Sequence, residues 1–303
     1  MNLEFYNQLI QIIDKERVLL DEPMKKHTTF RVGGNADYFV MPKTTEEVKG
    51  VVALCQKENL PYYILGNGSN LLVGDIGYRG VIIQIYKEMN EITVDGDRIC
   101  AQAGALLSKV GSVALEAELT GFEFAAGIPG TVGGAVVMNA GSYGGEMKDI
   151  LASATVLTCD GEVLKLTNEE LELGYRTSVI AKKNYIVLEA EYQLERGNKA
   201  AIRARMDELK LQRVTKQPLE YPSAGSTFKR PEGYFAGKLI QDAGLRGFQV
   251  GGAQVSEKHC GFVINKGDAT AADIVELMRQ VSEKVFQEFG VALEPEVKRL
   301  GEF

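Results

Sequence analysis

The sequence predicts an α+β protein of two or three domains, and three observations carry that reading. The chain is 303 residues long, enough for two or three domains that each bury a core. Residues 36–72 read as a strand, a helix and a second strand running into a glycine turn, one βαβ unit. From about residue 80 the texture changes to short, hairpin-linked strands with helices between them.

Residues 2–19 carry apolar side chains at helical spacing, from Leu3 and Phe5 to Ile12 and Ile13, which predicts an opening helix. Ala36–Met41 reads as a strand. Thr44-Thr-Glu-Glu47 is a capping-box start for a helix carrying Val48, Val51, Val52 and Cys55. Tyr62–Leu65 is a short apolar strand that ends at Gly66. Strands follow at 81–85, 91–94 and 98–103, with a turn at Asp95-Gly96-Asp97, then a helix from Leu106 to Leu119. The segment Gly121–Gly145 is a glycine-dense loop. Strands return at 153–158, 163–166 and 184–192, the first two joined by an Asp160-Gly161 hairpin. Lys199–Lys216 is a charged amphipathic helix opening a third region. Pro218, Pro222 and Pro231 mark an extended loop over 217–233. A helix near 235–242, strands near 248–255 and 261–265, a helix over 271–289 and a strand around 293–300 complete the chain.

Composition closes several doors. Hydrophobic residues make up 45% and charged residues 25%, a globular mix that excludes wholesale disorder. The 34 Lys and Arg against 41 Asp and Glu leave a net charge of −7, with no electrostatic reason for a nucleic-acid or anionic-membrane partner. Cys55, Cys100, Cys159 and Cys260 form no CxxC pair and only His27 and His259 are available to join them, so no metal site is expected. The isolated thiols suit a reducing, cytoplasmic setting. The start lacks a basic signal-peptide region, and no apolar run approaches the roughly 20 residues that membrane insertion needs.

Glycine is the outlier, 33 residues in all, and eight of the 25 residues from Gly121 to Gly145 are glycine. Glycine lets main-chain N–H groups approach a ligand closely and converge on an anion. Gly66-Asn-Gly-Ser-Asn70 does the same directly after a strand. Neither segment is a P-loop, which needs a Lys, nor a GxGxxG turn, because Gly66-x-Gly68-x-x ends in Leu71. Either loop alone would serve as a tight turn; together, with Pro129 stiffening one of them, they point to phosphate binding.

Six motifs then occur in order: His27-Thr-Thr-Phe-Arg-Val-Gly-Gly34, Leu65-Gly-Asn-Gly-Ser-Asn-Leu71, Ala126-Gly-Ile-Pro-Gly-Thr-Val-Gly-Gly134, Tyr175-Arg-Thr-Ser178, Ala224-Gly-Ser-Thr-Phe-Lys229 and Leu293-Glu-Pro-Glu-Val-Lys298. Over residues 25–300 the chain resembles the UDP-N-acetylenolpyruvoylglucosamine reductases, flavoenzymes of bacterial cell-wall synthesis. Leu194-Glu-Arg-Gly-Asn198 passes straight into the next helix and 228–235 is short, so the chain is similar to the shorter subclass that lacks an inserted tyrosine loop. The resemblance implies a two-domain FAD-binding fold of the vanillyl-alcohol-oxidase (PCMH) type plus an α+β substrate-binding domain, divided as 1–80, 81–198 and 199–303. It implies FAD held by Gly66, Asn67, Gly68, Ser69, Asn70 and Leu71, by Ala126, Gly127, Ile128, Pro129, Gly130, Gly133 and Gly134, and by Asn139, Ala140 and Gly141.

The reaction implied is reduction of UDP-N-acetylglucosamine enolpyruvate to UDP-N-acetylmuramate, with NADPH as co-substrate. Hydride delivery to one alkene carbon leaves negative charge on the other, delocalised into the carboxylate, so cations and acids are needed there. Arg176 suits the carboxylate, because a guanidinium binds it with two parallel hydrogen bonds; without the motif it reads as a surface Arg at a strand end. Glu296, expected in the last strand, can serve the developing enolate only as a neutral acid or by sharing a proton. Ser226 is the expected proton donor to carbon, a role for which a hydroxyl needs a polarising neighbour. Lys216, Lys229 and Arg230 are expected near the substrate, with solvated charge as the plain alternative. Tyr175 either bonds substrate or packs, and His259 either lines the pocket or is structural. No chemical step attaches to His27. Two other readings fit less: a hydroxy-acid or alcohol oxidase, of which the covalent-flavin kind lacks a His or Cys in the glycine segments, and a non-catalytic nucleotide-sugar-binding flavoprotein, which would not need Arg176, Ser226 and Glu296 together.

Overall fold

The computed structural model describes residues 2–303, which form two compact units. The first holds residues 2–20, Tyr38–Asn67 and Gly80–Gln212; the second holds Asp21–Asp37, Gly68–Arg79 and Arg213–Phe303. Among the described residues no helix is long and apolar enough to cross a membrane.

In the first unit, the opening helix spans Leu3–Ile12 and starts at Asn2, whose side chain accepts the Glu4 and Phe5 N–H groups. It is shorter than its apolar spacing predicts. A strand already begins at Val18, where Arg17 is fixed by a bidentate Glu47 carboxylate at 2.6 and 2.7 Å and by the Met41 carbonyl. The helix Thr45–Lys57 is capped by Thr44, whose hydroxyl accepts the Glu47 N–H at 3.1 Å. Its capping box does not close: the Glu47 carboxylate takes the Lys43 N–H and Arg17 instead. The Arg17 partner holds the Glu47 carboxyl below its ordinary value, against the opposing effect of burial.

Tyr62–Leu65 runs parallel to Tyr78–Gln84 in a four-stranded sheet ordered Val18–Pro23, Asn35–Val40, Tyr78–Gln84, Tyr62–Leu65. A five-stranded antiparallel sheet follows, ordered Val163–Thr167, Leu151–Leu157, Ile186–Gln193, Arg98–Gln102, Ile92–Asp95. Its hairpin turns use Gly96 and Gly161 at φ +61° and +81°, conformations that glycine adopts without strain. The helix Leu107–Glu116 buries Val110, Ala114 and Leu115. The glycine-dense loop expected over 121–145 contains a short helix, Val132–Val137, capped by Thr131. Glycines at its second and third positions mask it in the sequence, since each costs about 1 kcal/mol of helix propensity. Burial of Val132, Ala135 and Val136 outweighs that cost.

The second unit is built on a small antiparallel sheet, Ser223–Ser226, Phe262–Asn265, Ala253–Val255, Gln249–Val250. Its first strand lies inside the segment read as an extended loop, where Pro222 and Gly225 hide it. The helix Ala271–Phe289 starts at a full capping box of Thr270 and Asp273 and buries Ile274, Leu277, Met278, Val281 and Val285. The Asp75 carboxylate also accepts the Ala271 and Ala272 N–H groups at 2.8 and 3.0 Å. The last strand is Lys298–Leu300, parallel to Leu71–Val73, so Glu296 precedes it rather than lying in it. Pro295 accounts for the difference: without an N–H it makes only an isolated bridge to Phe228.

At Gly77 the chain turns at φ +89°, and an added β-carbon would lie 2.0 Å from the Asn35 carbonyl oxygen. Gly77→Ala is therefore expected to lower stability by about 2–4 kcal/mol. Urea unfolding measures it, and an unchanged midpoint would contradict the packing described.

Candidate functional site

The strand Tyr62–Leu65 delivers Gly66 against the second glycine segment. A β-carbon at Gly66 would sit 2.4 Å from Thr131 Oγ1, so only glycine allows this approach. Thr131 is buried, and its hydroxyl accepts the Gly134 N–H at 3.4 Å. Main-chain bonds pin the segment from behind: Leu107 N–H to Gly130 O, Val132 N–H to Ala105 O and Gly133 N–H to Ala103 O, at 3.1, 2.9 and 2.8 Å. Gly127, Pro129 and Gly134 remain exposed. The first unit thus brings Gly66 and Asn67 beside the segment holding Ala126, Gly127, Ile128, Pro129, Gly130, Gly133 and Gly134. Within the first unit, 66–67 and 126–131 carry main-chain amides, the Asn67 carboxamide and the Thr131 hydroxyl, with no acidic side chain. That chemistry fits a diphosphate-bearing cofactor.

The remaining part of the first glycine loop lies in the second unit. A β-carbon on Gly68 would meet the His27 carbonyl at 2.1 Å, and Gly68 O accepts the Thr29 N–H at 3.1 Å. The motif that opens at His27 therefore supplies the bed on which Gly68 packs. Asn70 accepts the Lys298 N–H on its carbonyl at 3.1 Å, and its side-chain amide donates to Glu296 O at 3.3 Å. Leu71 lies in register opposite Lys298.

Asn139, Ala140 and Gly141 follow the short helix Val132–Val137. Ala140 N–H donates to Ala135 O, and Gly141 pairs with Glu146 in a two-stranded ribbon. Asn139 is 1% exposed, and its carboxamide bonds protein groups: Nδ2 donates to Glu146 Oε2 and to Gly174 O, and Oδ1 accepts the Lys148 N–H. Gly174 opens the two-residue turn of Tyr175 and Arg176, closed by a bridge to Thr177. Tyr175 is exposed, and the half-buried Arg176 holds its guanidinium 5.2 Å from the Tyr175 ring centroid.

In the second unit, Ser226 is exposed at the end of its strand, opposite Phe262. The next residue, Thr227, is fully buried; its hydroxyl accepts the Val263 N–H at 2.9 Å and its carbonyl accepts the Glu296 N–H at 2.8 Å. Lys229 N–H donates to Glu294 O at 2.8 Å, so 227–229 and 294–296 form a short antiparallel pairing in which Glu296 lies opposite Thr227, the residue after Ser226. Lys229 also pairs with the Glu294 carboxylate, and the Arg230 guanidinium stacks 4.0 Å from the Phe235 ring. Lys216 is exposed in the last turn of its helix. His259 is half-buried with its ring edge-on to Phe262, and its Nδ1 accepts the Gly261 N–H at 3.1 Å. Among the described residues no cluster of His, Cys, Asp and Glu could hold a metal ion. Thr227 and the carboxamide roles of Asn70 and Asn139 escape the sequence reading; strand alternation around Ser226 is the one available signal, since it turns Thr227 inward.

Comparison with known proteins gives a consistent set of likenesses. A family model described as "UDP-N-acetylenolpyruvoylglucosamine reductase, C-terminal domain" matches residues 217–300, and one described as "FAD binding domain" matches 36–167. The UDP-N-acetylenolpyruvoylglucosamine reductase of Clostridioides difficile is 54% identical over 301 residues, 99% of each chain. That of Agathobacter rectalis is 55% identical over 315 residues, covering all of both. The crystal structure of the corresponding reductase from Thermus caldophilus superposes with a TM-score of 0.80 at 38% identity, covering 94% of this chain and 98% of that one.

Burial lowers the His259 pKa below its ordinary value. Folding therefore favours the neutral ring, and the stability it contributes is present above about pH 6.5 and lost as pH falls through the folded pKa. Between about pH 7 and pH 5 the wild-type protein is expected to lose stability more steeply than His259→Gln. Equal slopes in denaturant titrations would remove His259 from the account.

Proposed function

Given that the chain belongs to the UDP-N-acetylenolpyruvoylglucosamine reductase family, we propose which of its residues perform that family's reaction. The protein is an FAD-containing, NADPH-dependent oxidoreductase of peptidoglycan precursor synthesis that reduces UDP-N-acetylglucosamine enolpyruvate to UDP-N-acetylmuramate. The chemistry supplied by bound FAD is hydride carriage from NADPH to the enolpyruvyl alkene. Residues 66–71, 126–134 and 139–141 hold that cofactor, chiefly through main-chain amides that meet its diphosphate without an opposing carboxylate. On this reading 1–80 and 81–198 form the FAD-binding part and 199–303 the substrate domain; the spans of the two matching models, 36–167 and 217–300, support that division. The enzyme works in the cytoplasm, beside its nucleotide substrates.

Arg176 binds the enolpyruvyl carboxylate through two parallel hydrogen bonds and meets the negative charge that develops there. Glu296, as the neutral acid, donates to the same developing enolate. Ser226 gives the proton to carbon. Tyr175, Lys216, Lys229, Arg230 and His259 bind the UDP-sugar; the exposed Lys229–Glu294 pair is exchanged for the substrate diphosphate, at small cost for a surface ion pair. The observation that supports this assignment is the Glu296 N–H to Thr227 O bond at 2.8 Å, which sets Glu296 and the Ser226 loop on paired segments of backbone.

Ser226→Ala tests the assignment. Reduction of the bound flavin by NADPH should proceed normally, while its reoxidation by UDP-N-acetylglucosamine enolpyruvate should slow by about 10²–10⁴-fold, the usual worth of a positioned acid. Stopped-flow absorbance separates the two half-reactions, and two normal half-reactions would remove Ser226 from the chemistry.

A further inference from the structure

The turn that carries Arg176 is fastened at both ends by named hydrogen bonds. Two main-chain bonds close it, Gly174 N–H to Thr177 O at 3.1 Å and Thr177 N–H to Gly174 O at 3.2 Å. Arg176 itself sits at φ +55°, a left-handed conformation that costs a residue with a β-carbon about 1–2 kcal/mol. A residue stays in such a conformation only where its surroundings over-determine it.

Residues 137–139 are part of those surroundings. Asn139 Nδ2 donates to Gly174 O at 3.1 Å, filling the second lone pair of a carbonyl that already accepts from Thr177. Nδ2 also donates to Glu146 Oε2 at 2.7 Å, and Oδ1 accepts the Lys148 N–H at 2.9 Å. With donors and acceptor all engaged, the carboxamide has one orientation available. Just beyond the turn, the fully buried Ser178 donates its hydroxyl to Val137 O at 2.8 Å. Both ends of the turn are thus fastened to the residues that follow the glycine-rich helix start.

We infer that Asn139 is a positioning residue for Arg176: its carboxamide fixes the turn from which the guanidinium reaches the substrate carboxylate. Although Asn139 lies in a segment that holds FAD, its side chain acts on the arginine turn. The inference deepens the proposed function and rests on the assignment of Arg176 to the substrate.

The test compares wild type, Asn139→Ser and Arg176→Lys. Serine keeps a polar side chain too short to reach Gly174. Asn139→Ser should retain flavin and should exchange the Thr177 amide proton faster by about tenfold, since that N–H closes the turn. Reoxidation of its reduced flavin by UDP-N-acetylglucosamine enolpyruvate should slow by about 10–100-fold relative to reoxidation by dioxygen, which needs no arginine. Unchanged exchange at Thr177, equal slowing with both oxidants, or loss of flavin would overturn the inference. If Arg176→Lys itself handles substrate as wild type does, the assignment of Arg176 fails, and exchange at Thr177 alone then decides whether Asn139 holds the turn. If Asn139→Ser does not fold, Ser178→Ala cuts the other tie, with the same expected and overturning results.

Discussion

The buried carboxamide of Asn139 is the interaction on which the first unit's working geometry depends. It joins three pieces of chain that are distant in sequence or differ in structure: the end of the Val132–Val137 helix, the Glu146–Lys148 turn and the Gly174 carbonyl that opens the Arg176 turn. An unpaired buried amide would cost about 1–3 kcal/mol, so full pairing here selects one arrangement of all three. The chain of constraint begins further back, at Gly66. Because no β-carbon stands between Gly66 and Thr131, the strand Tyr62–Leu65 abuts the start of that helix. Glycine at one end and asparagine at the other connect the segment proposed to hold the cofactor to the residue assigned to the substrate.

The second unit solves a similar problem with a buried hydroxyl. Thr227 fixes its own strand by accepting the Val263 N–H, and its carbonyl fixes Glu296. Asn70 adds a side-chain bond to the Glu296 carbonyl. In both units, side chains bonded to neighbouring backbone fasten the segments that carry the residues assigned to substrate, the condition under which a charge-stabilising site is preorganised. The acidic net charge of −7 is compatible with binding anions for the same reason: directed amides and a few cations act locally, and a basic surface is not required.

The long helices and central strands were legible because periodicity and capping agree there. Lys199–Lys216 and Ala271–Phe289 appear with the bounds that their sequences predict. The reading failed where local signals mislead. The apolar spacing of 2–19 continues past Ile12, but the tertiary ties of Arg17 convert its end into a strand. Glycines hid the helix Val132–Val137 and the strand Ser223–Ser226, because a glycine-rich stretch has low propensity for both. The glycine segments read from the sequence as phosphate-binding loops, whereas the protein partners of Asn70 and Asn139 were not legible there. A carboxamide in a glycine loop reads as a ligand contact, and only the fold shows that Gly174 lies 3.1 Å from Asn139.

A double-mutant cycle on Asn139 and Arg176 tests the central claim most directly, read as single-turnover flavin reoxidation by UDP-N-acetylglucosamine enolpyruvate. If Asn139 acts through Arg176, Asn139→Ser adds no slowing once Arg176→Lys is present, and the coupling free energy falls in the range of about 0.5–3 kcal/mol found for interacting pairs. Slowdowns that multiply independently would contradict the claim and leave Asn139 a structural residue unconnected with the arginine.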